Sequence, residues 1–121
     1  MTQAARVLLC LAVLLAAVPA TAAATTYTVD STGDLPDAQF GDNVCKDTTD
    51  PPANAKCTLR AAIQEANAHS GADAIAFAVG AGATIAPFSQ LPAIVGQVVV
   101  DGTSQQGYAG APVVQLSGAP A

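Results

Sequence analysis

The apolar and polar positions divide the chain into three textures. Residues 7–18 form an unbroken apolar run, which Pro19 stops. Next, Thr26-Tyr27-Thr28-Val29-Asp30 alternates with β-branched and aromatic residues, which predicts a first strand. Residues 31–56 are rich in Asp, Gly, Pro, Asn and Thr and read as loop. Leu59, Ala62, Ile63 and Ala66 then fall at i, i+3, i+4 and i+7, the stripe of a helix laid on a core. Thr58 is placed to cap its start and Gly71 to end it, with His69 solvent-facing in the last turn, where the helix dipole favours positive charge. Beyond Gly71 the pattern becomes short, turn-bounded and β-branched, predicting strands over residues 74–79, 84–86, 97–100 and 112–116.

This order predicts a mainly β fold with one short helix. Ile75-Ala76-Phe77, Val98-Val99-Val100 and Val114-Gln115-Leu116 share an echo of apolar residue, spacer and apolar residue, shortly followed by Gly. The intervals between those glycines are unequal, so the echo is not a strict repeat. It suits the coils of a solenoid, in which each coil buries its face on the next. It suits a small irregular β-sandwich equally well.

The opening run changes the picture of what remains. Arg6 before it and the small residues Ala20 to Ala24 after it make the tripartite pattern of a secretory signal, with cleavage after Ala22 or Ala24. At about a dozen residues the run is short of the ~20 needed to span a bilayer. The expected mature chain is residues 25–121 (or 23–121), one small domain that is extracellular, on the cell surface or periplasmic, with no transmembrane span. The whole chain has four basic and nine acidic residues. Losing Arg6 leaves three against nine, a net charge of −6. That balance argues against nucleic acid, whose phosphates call for basic patches, and against anionic membrane surfaces. Cys10 leaves with the signal. Cys45 and Cys57 remain, and in an oxidising compartment an even pair this close reads as a disulfide across a loop with no regular element.

The segment Cys57-Thr58-Leu59-Arg60-Ala61-Ala62-Ile63-Gln64-Glu65-Ala66-Asn67-Ala68 resembles the signature of the CSLREA domain family. Tyr27-Thr28-Val29-Asp30-Ser31-Thr32-Gly33-Asp34 is similar to that family's opening strand and turn. Gly71-Ala72-Asp73-Ala74-Ile75, Leu91-Pro92-Ala93-Ile94 and Val98-Val99-Val100-Asp101-Gly102-Thr103 are similar to its downstream segments. The likeness covers essentially the whole mature chain. Thr58 stands where the namesake has Ser, which keeps a capping hydroxyl, and Ala61 stands where it has Glu. The resemblance implies the N-terminal part of an exported bacterial protein that continues into a right-handed parallel β-helix. Its helix motif of Thr58, Leu59, Arg60, Ile63, Glu65 and Asn67 would cap the first coil, and the disulfide would fasten the preceding loop. It implies no chemistry for any residue here. The sequence ends just after Leu116-Ser117-Gly118, so it is expected to be a fragment or a product truncated relative to its relatives, and as written its last strand would be an aggregation-prone edge.

No catalytic constellation stands out. The single histidine, His69, sits at a helix end, and there is no G-x-S-x-G elbow. Asp101-Gly102 reads as a turn rather than half of a carboxylate pair. No Lys or Arg follows Arg60, so the strand region lacks the base of β-helical polysaccharide lyases. Gly80-Ala81-Gly82 starts a phosphate-loop fingerprint, but Ile85 occupies the third glycine position. Arg60 reads as the cation of a structural, exposed ion pair with Asp73 or Glu65. Six aspartates crowd residues 30–50, and Asp34, Asp37 and Asp42 are the candidate ligands for a calcium ion, although turn loops collect Asp without one. The expectation is a non-enzymatic structural or interaction protein with no cofactor, partnered by downstream β-helix coils or surface glycans. Two alternatives are the N-terminal fragment of a β-helical polysaccharide-degrading enzyme and a small calcium- or carbohydrate-binding module.

Overall fold

A computed structural model describes residues 23–118. Most of the leader expected over residues 1–24 therefore lies outside the described residues. The elements follow in the order β1 (Thr26–Val29), α1 (Leu59–Ala68), β2 (Ala72–Phe77), β3 (Ala83–Ile85), β4 (Gln97–Val100) and β5 (Val114–Leu116), with 3-10 turns at Pro52–Asn54 and Gly102–Ser104. The first of these turns lies inside the Cys45–Cys57 loop, which the sequence suggested would hold no regular element. Among the described residues no helix is long and apolar enough to cross a membrane.

Every pairing between these strands is parallel. One sheet has the order β1-β2-β4 and the other pairs β3 with β5. Parallel neighbours cannot be joined by a hairpin, so each connection has to cross over, and α1 is carried on the crossover from β1 to β2. Register partners share a face, which sorts the side chains into columns. Tyr27, Ile75 and Val100 form one, Val29 and Phe77 another, and Ile85 and Leu116 a third. Tyr27, Val29, Ile75, Phe77 and Ile85 are buried together with Leu59, Ala62, Ile63 and Ala66 of α1, and this is the core. The apolar stripe read from the sequence is thus the face that α1 lays on the sheet.

Thr58 caps α1 as expected. Its hydroxyl accepts from Ala61 N at 3.0 Å and donates to the Leu35 carbonyl at 2.7 Å. The other end differs from the sequence reading. The C-cap is His69, already in extended conformation, and Gly71 comes later with φ 143°. His69 leaves the helix because its ring is held by Asp73 at 2.7 Å, so it is not solvent-facing: its side chain is 15 % exposed. β2 begins two residues earlier than expected, because Asp73 is an inward-facing acid that hides the alternation. β5 begins two residues later than expected, after Pro112, which has no N–H for a ladder.

Cys45 and Cys57 are joined, closing a loop with a sequence separation of 12 directly before the helix cap. Replacing both by Ser is expected to cost a little under ~3 kcal/mol of unfolding free energy on the chain-entropy account. Urea unfolding of the two forms measures the difference.

Candidate functional site

Three polar clusters and one apolar opening are arranged around α1. The first cluster is centred on Glu65, which is fully buried. Its two oxygens accept from Gly41 N at 2.6 Å and Asn43 N at 2.8 Å. Gly41 has φ 84° and Asn43 φ 62°, left-handed backbone that Gly adopts freely and Asn tolerates. That winding turns both N–H groups onto one carboxylate. Burial raises the pKa of Glu65 first of all, the two N–H bonds lower it, and the like charges of Asp37 and Asp42 raise it. One helical position earlier, Gln64 accepts from Asp37 N at 2.8 Å.

The carboxylates of Asp37, Asp42 and Glu65 lie within 4.8 Å of one another. Asp34, read from the sequence as the third calcium ligand, is not with them. The acids near Glu65 are turn formers. Asp37 accepts from Gln39 N and Lys46 N, and Asp42 accepts from Val44 N. Asp47 does the same for Thr49 N and Lys56 N, and Asp30 accepts from Cys57 N.

The second cluster corrects the expected partner of Arg60. It pairs with neither Asp73 nor Glu65 but with Asp34, in a two-pronged contact of 3.0 and 2.9 Å. The pair is largely buried, with side-chain exposures of 12 and 6 %. Arg60 also donates to the carbonyls of Ser89 and Gln90, and Asp34 accepts from Phe88 N at 2.8 Å. Seven residues on and on the same helix face, Asn67 donates to the Ala93 carbonyl at 2.8 Å and accepts from Val95 N at 3.0 Å. Arg60 and Asn67 together hold the segment 88–95, which pairs with no strand.

The third cluster joins Thr25, His69 and Asp73. Sequence reading missed it, although His69 and Asp73 are spaced four apart. Asp73 Oδ1 meets His69 Nδ1 at 2.7 Å and accepts from Thr25 N at 3.2 Å, and the Thr25 hydroxyl lies 3.4 Å from His69 Nε2. Nearby, Tyr27 is buried with its hydroxyl toward Asn43, and its pKa is pushed up to about 12, by burial first and then by the surrounding acids beginning with Asp73. Asp101 heads the Gly102–Ser104 turn, as its Asp-Gly sequence suggested. The Thr103 hydroxyl and N–H lower its pKa.

The apolar opening lies at the far edge of both sheets. A recess of about 170 Å³ is lined by Leu59, Phe77, Ile85, Val100, Val114 and Leu116. Ile75 is 0 % exposed, whereas Val100, the next residue of its column, is 50 % exposed. Ile85 is 2 % exposed and Leu116 after it 60 %. The inward-facing columns therefore run out into solvent at β4 and β5.

Comparison of the chain with protein-family models, with curated proteins and with solved structures finds no match. Geometry alone thus bears on its role. Of the residues named in advance, Thr58 caps the helix, Leu59 and Ile63 enter the core, and Arg60, Glu65 and Asn67 bind main-chain groups of irregular segments. Ala61, the departure from the resembled motif, is fully buried.

Glu65→Gln tests the first cluster. The amide offers one acceptor oxygen where two N–H groups need one each, so a buried N–H is left facing an NH₂. The expected cost is about 1–3 kcal/mol, with faster hydrogen exchange confined to the amides of Gly41 and Asn43. Unchanged exchange at both amides would contradict this role.

Proposed function

We propose that this chain is the exported N-terminal end of a parallel β-solenoid of the CSLREA type, a non-enzymatic structural element whose partner is the next coil. The observation that carries the reading is the contrast along each column. Ile75 lies between Tyr27 and Val100, and Ile85 is buried in the core beside Leu116, while among the described residues Val100 and Leu116 have no strand partner beyond them. An apolar column that stops half-exposed, beside two unpaired strand edges, is the surface a further coil completes.

On this reading β2 with β3 and β4 with β5 form two successive coils. Ala72 pairs with Gln97, 25 positions on, and Ala83 with Val114, 31 positions on. The second interval is longer because the Gly102–Ser104 turn and the stretch before Pro112 are inserted between β4 and β5. The third member of the sequence echo, Val114-Gln115-Leu116, lies in β5, which pairs with β3 rather than β4, so the echo mixes two sheets and keeps no fixed period. The all-parallel pairing also favours a solenoid over a sandwich, whose sheets are built of antiparallel strands. At the other end, α1 covers the first coil and ties down the loops around it, which suits a terminal cap. An export route fits the leader pattern and the joined cysteines.

Residues 25–121, produced without anything to follow them, are expected to self-associate through this end. Sedimentation should show concentration-dependent oligomers, and Val100→Lys with Leu116→Lys should return them to monomer without loss of helix signal. Both side chains are already half-exposed, so the lysines need not disturb the core. A wild-type chain that stays monomeric, with its strands no more prone to exchange than those of the double variant, would contradict the reading.

A further inference from the structure

Thr25 is where the chain becomes tied to the fold. Ala23 and Ala24 are exposed, whereas Thr25 is bonded through its main chain and its side chain. Its carbonyl accepts from Ala74 N at 2.9 Å, its N–H donates to Asp73 at 3.2 Å, and its hydroxyl meets His69. Asp73 is 4 % exposed, and among the described residues its Oδ2 has no hydrogen-bond partner. A buried carboxylate oxygen left bare is costly, and the Thr25 N–H and the His69 ring both meet Oδ1, so the fold holds an acceptor, Oδ2, that neither saturates.

We propose that the peptide bond between Ala24 and Thr25 is the processing site, and that the α-ammonium of Thr25 made by its hydrolysis is the partner Asp73 is built to receive. The inference rests on the export reading. Water adds across the bond, the carboxylate stays on Ala24 and leaves with the leader, and the amine takes up a proton. The nitrogen beside Asp73 changes from a neutral amide with one N–H to a cation with three, enough to serve both carboxylate oxygens. A free α-amino group has a pKa of about 8, so it is charged near neutrality. Cleavage thereby turns a single hydrogen bond into a largely desolvated ion pair at the first residue of β1's register, where Thr26 pairs with Ala74.

The geometry separates the two cleavage positions that the small-residue pattern leaves open. Ala22-Ala23-Ala24 before Thr25 has small residues at the first and third places before the bond. Cleavage after Ala22 would leave a two-alanine tail, carry the ammonium out into water and keep the Thr25 nitrogen an amide. Processing after Ala24 thus locks the edge strand only once the leader is gone.

The mass and N-terminal sequence of the natural product give the first test. A product starting at Thr25 is expected. One starting at Ala23 overturns this inference and leaves the export reading standing, whereas one that keeps Met1 removes both. The second test compares the chain from Thr25 on with a free and with an acetylated N-terminus. Acetylation is expected to lower Tm by about 5–10 °C. The same comparison in Asp73→Asn should show almost no difference. Equal Tm values for free and acetylated wild type, or an undiminished gap in Asp73→Asn, would overturn the proposal. Should the variant fail to fold, titration of the Thr25 amine in wild-type protein decides the matter. A pKa clearly above ~8 is expected for an ammonium paired with a carboxylate, and an ordinary value contradicts it.

Discussion

Main-chain polar groups that no strand or helix satisfies must find partners before they can be buried, and in this protein α1 supplies many of them from its side chains. Around the helix, Gln64 and Glu65 serve the backbone of the 37–43 loop, while Arg60 and Asn67 serve the backbone of the 88–95 segment. The remaining stripe, Leu59, Ala62, Ile63 and Ala66, is buried in the core. A ten-residue helix would be marginal alone. Here it is held by its apolar stripe and by the loops it organises, and those loops keep their shape because the helix is there. The same device recurs where β4 ends. β4 pairs with β2 as far as Ile75, and the next N–H groups of β2's side, Phe77 and Val79, are taken by the side chains of Ser104 and Gln105.

These side-chain bonds let the β2–β3 and β4–β5 connections differ in length without leaving the Phe77 and Val79 N–H groups bare. The connection from β4 to β5 is longer than the one from β2 to β3, yet Tyr27, Ile75 and Val100 stay in register. The protein thus has one end closed by α1 and its loops, and another where apolar columns stop in solvent. On the proposed reading the first is a cap and the second a docking face for a coil of the same kind. The acidic loop belongs to the closed end, where its aspartates receive backbone N–H groups and shape turns.

Much of this was legible in the residues. The helix stripe, the Thr58 cap, the paired cysteines and the positions of β1 and β4 follow from periodicity, capping chemistry and cysteine count, which are local signals. What was hidden depends on partners distant in sequence. Arg60 was expected to find Asp73 or Glu65, which are near in sequence, but it reaches Asp34, 26 residues away, because Asp34 is anchored by Phe88 N as well. Asp34 was grouped with Asp37 and Asp42 because aspartates crowd that loop, and the Arg60 fork draws it out of that group. Glu65 lies where a helix normally shows a charge to water, and only the left-handed winding at Gly41 and Asn43 reveals why it is buried. Asp73 broke the strand pattern because an inward acid is tolerable only with Thr25 and His69 beside it. The short edge strands, β3 and β5, could be placed but not paired, since nothing in three residues specifies a parallel partner.

Stability should fall from the closed end to the open one, a gradient that native-state hydrogen exchange reads amide by amide. The amides of β2, flanked by β1 and β4 and covered by α1, should exchange slowest, through opening of the whole domain. Those of β5 and its pairing with β3 should open far more readily, at free energies well below the global value, because among the described residues β5 pairs only with β3. Uniform protection across β2 and β5, or early opening of α1 while β5 stays closed, would contradict the picture of a capped solenoid with one unfinished end.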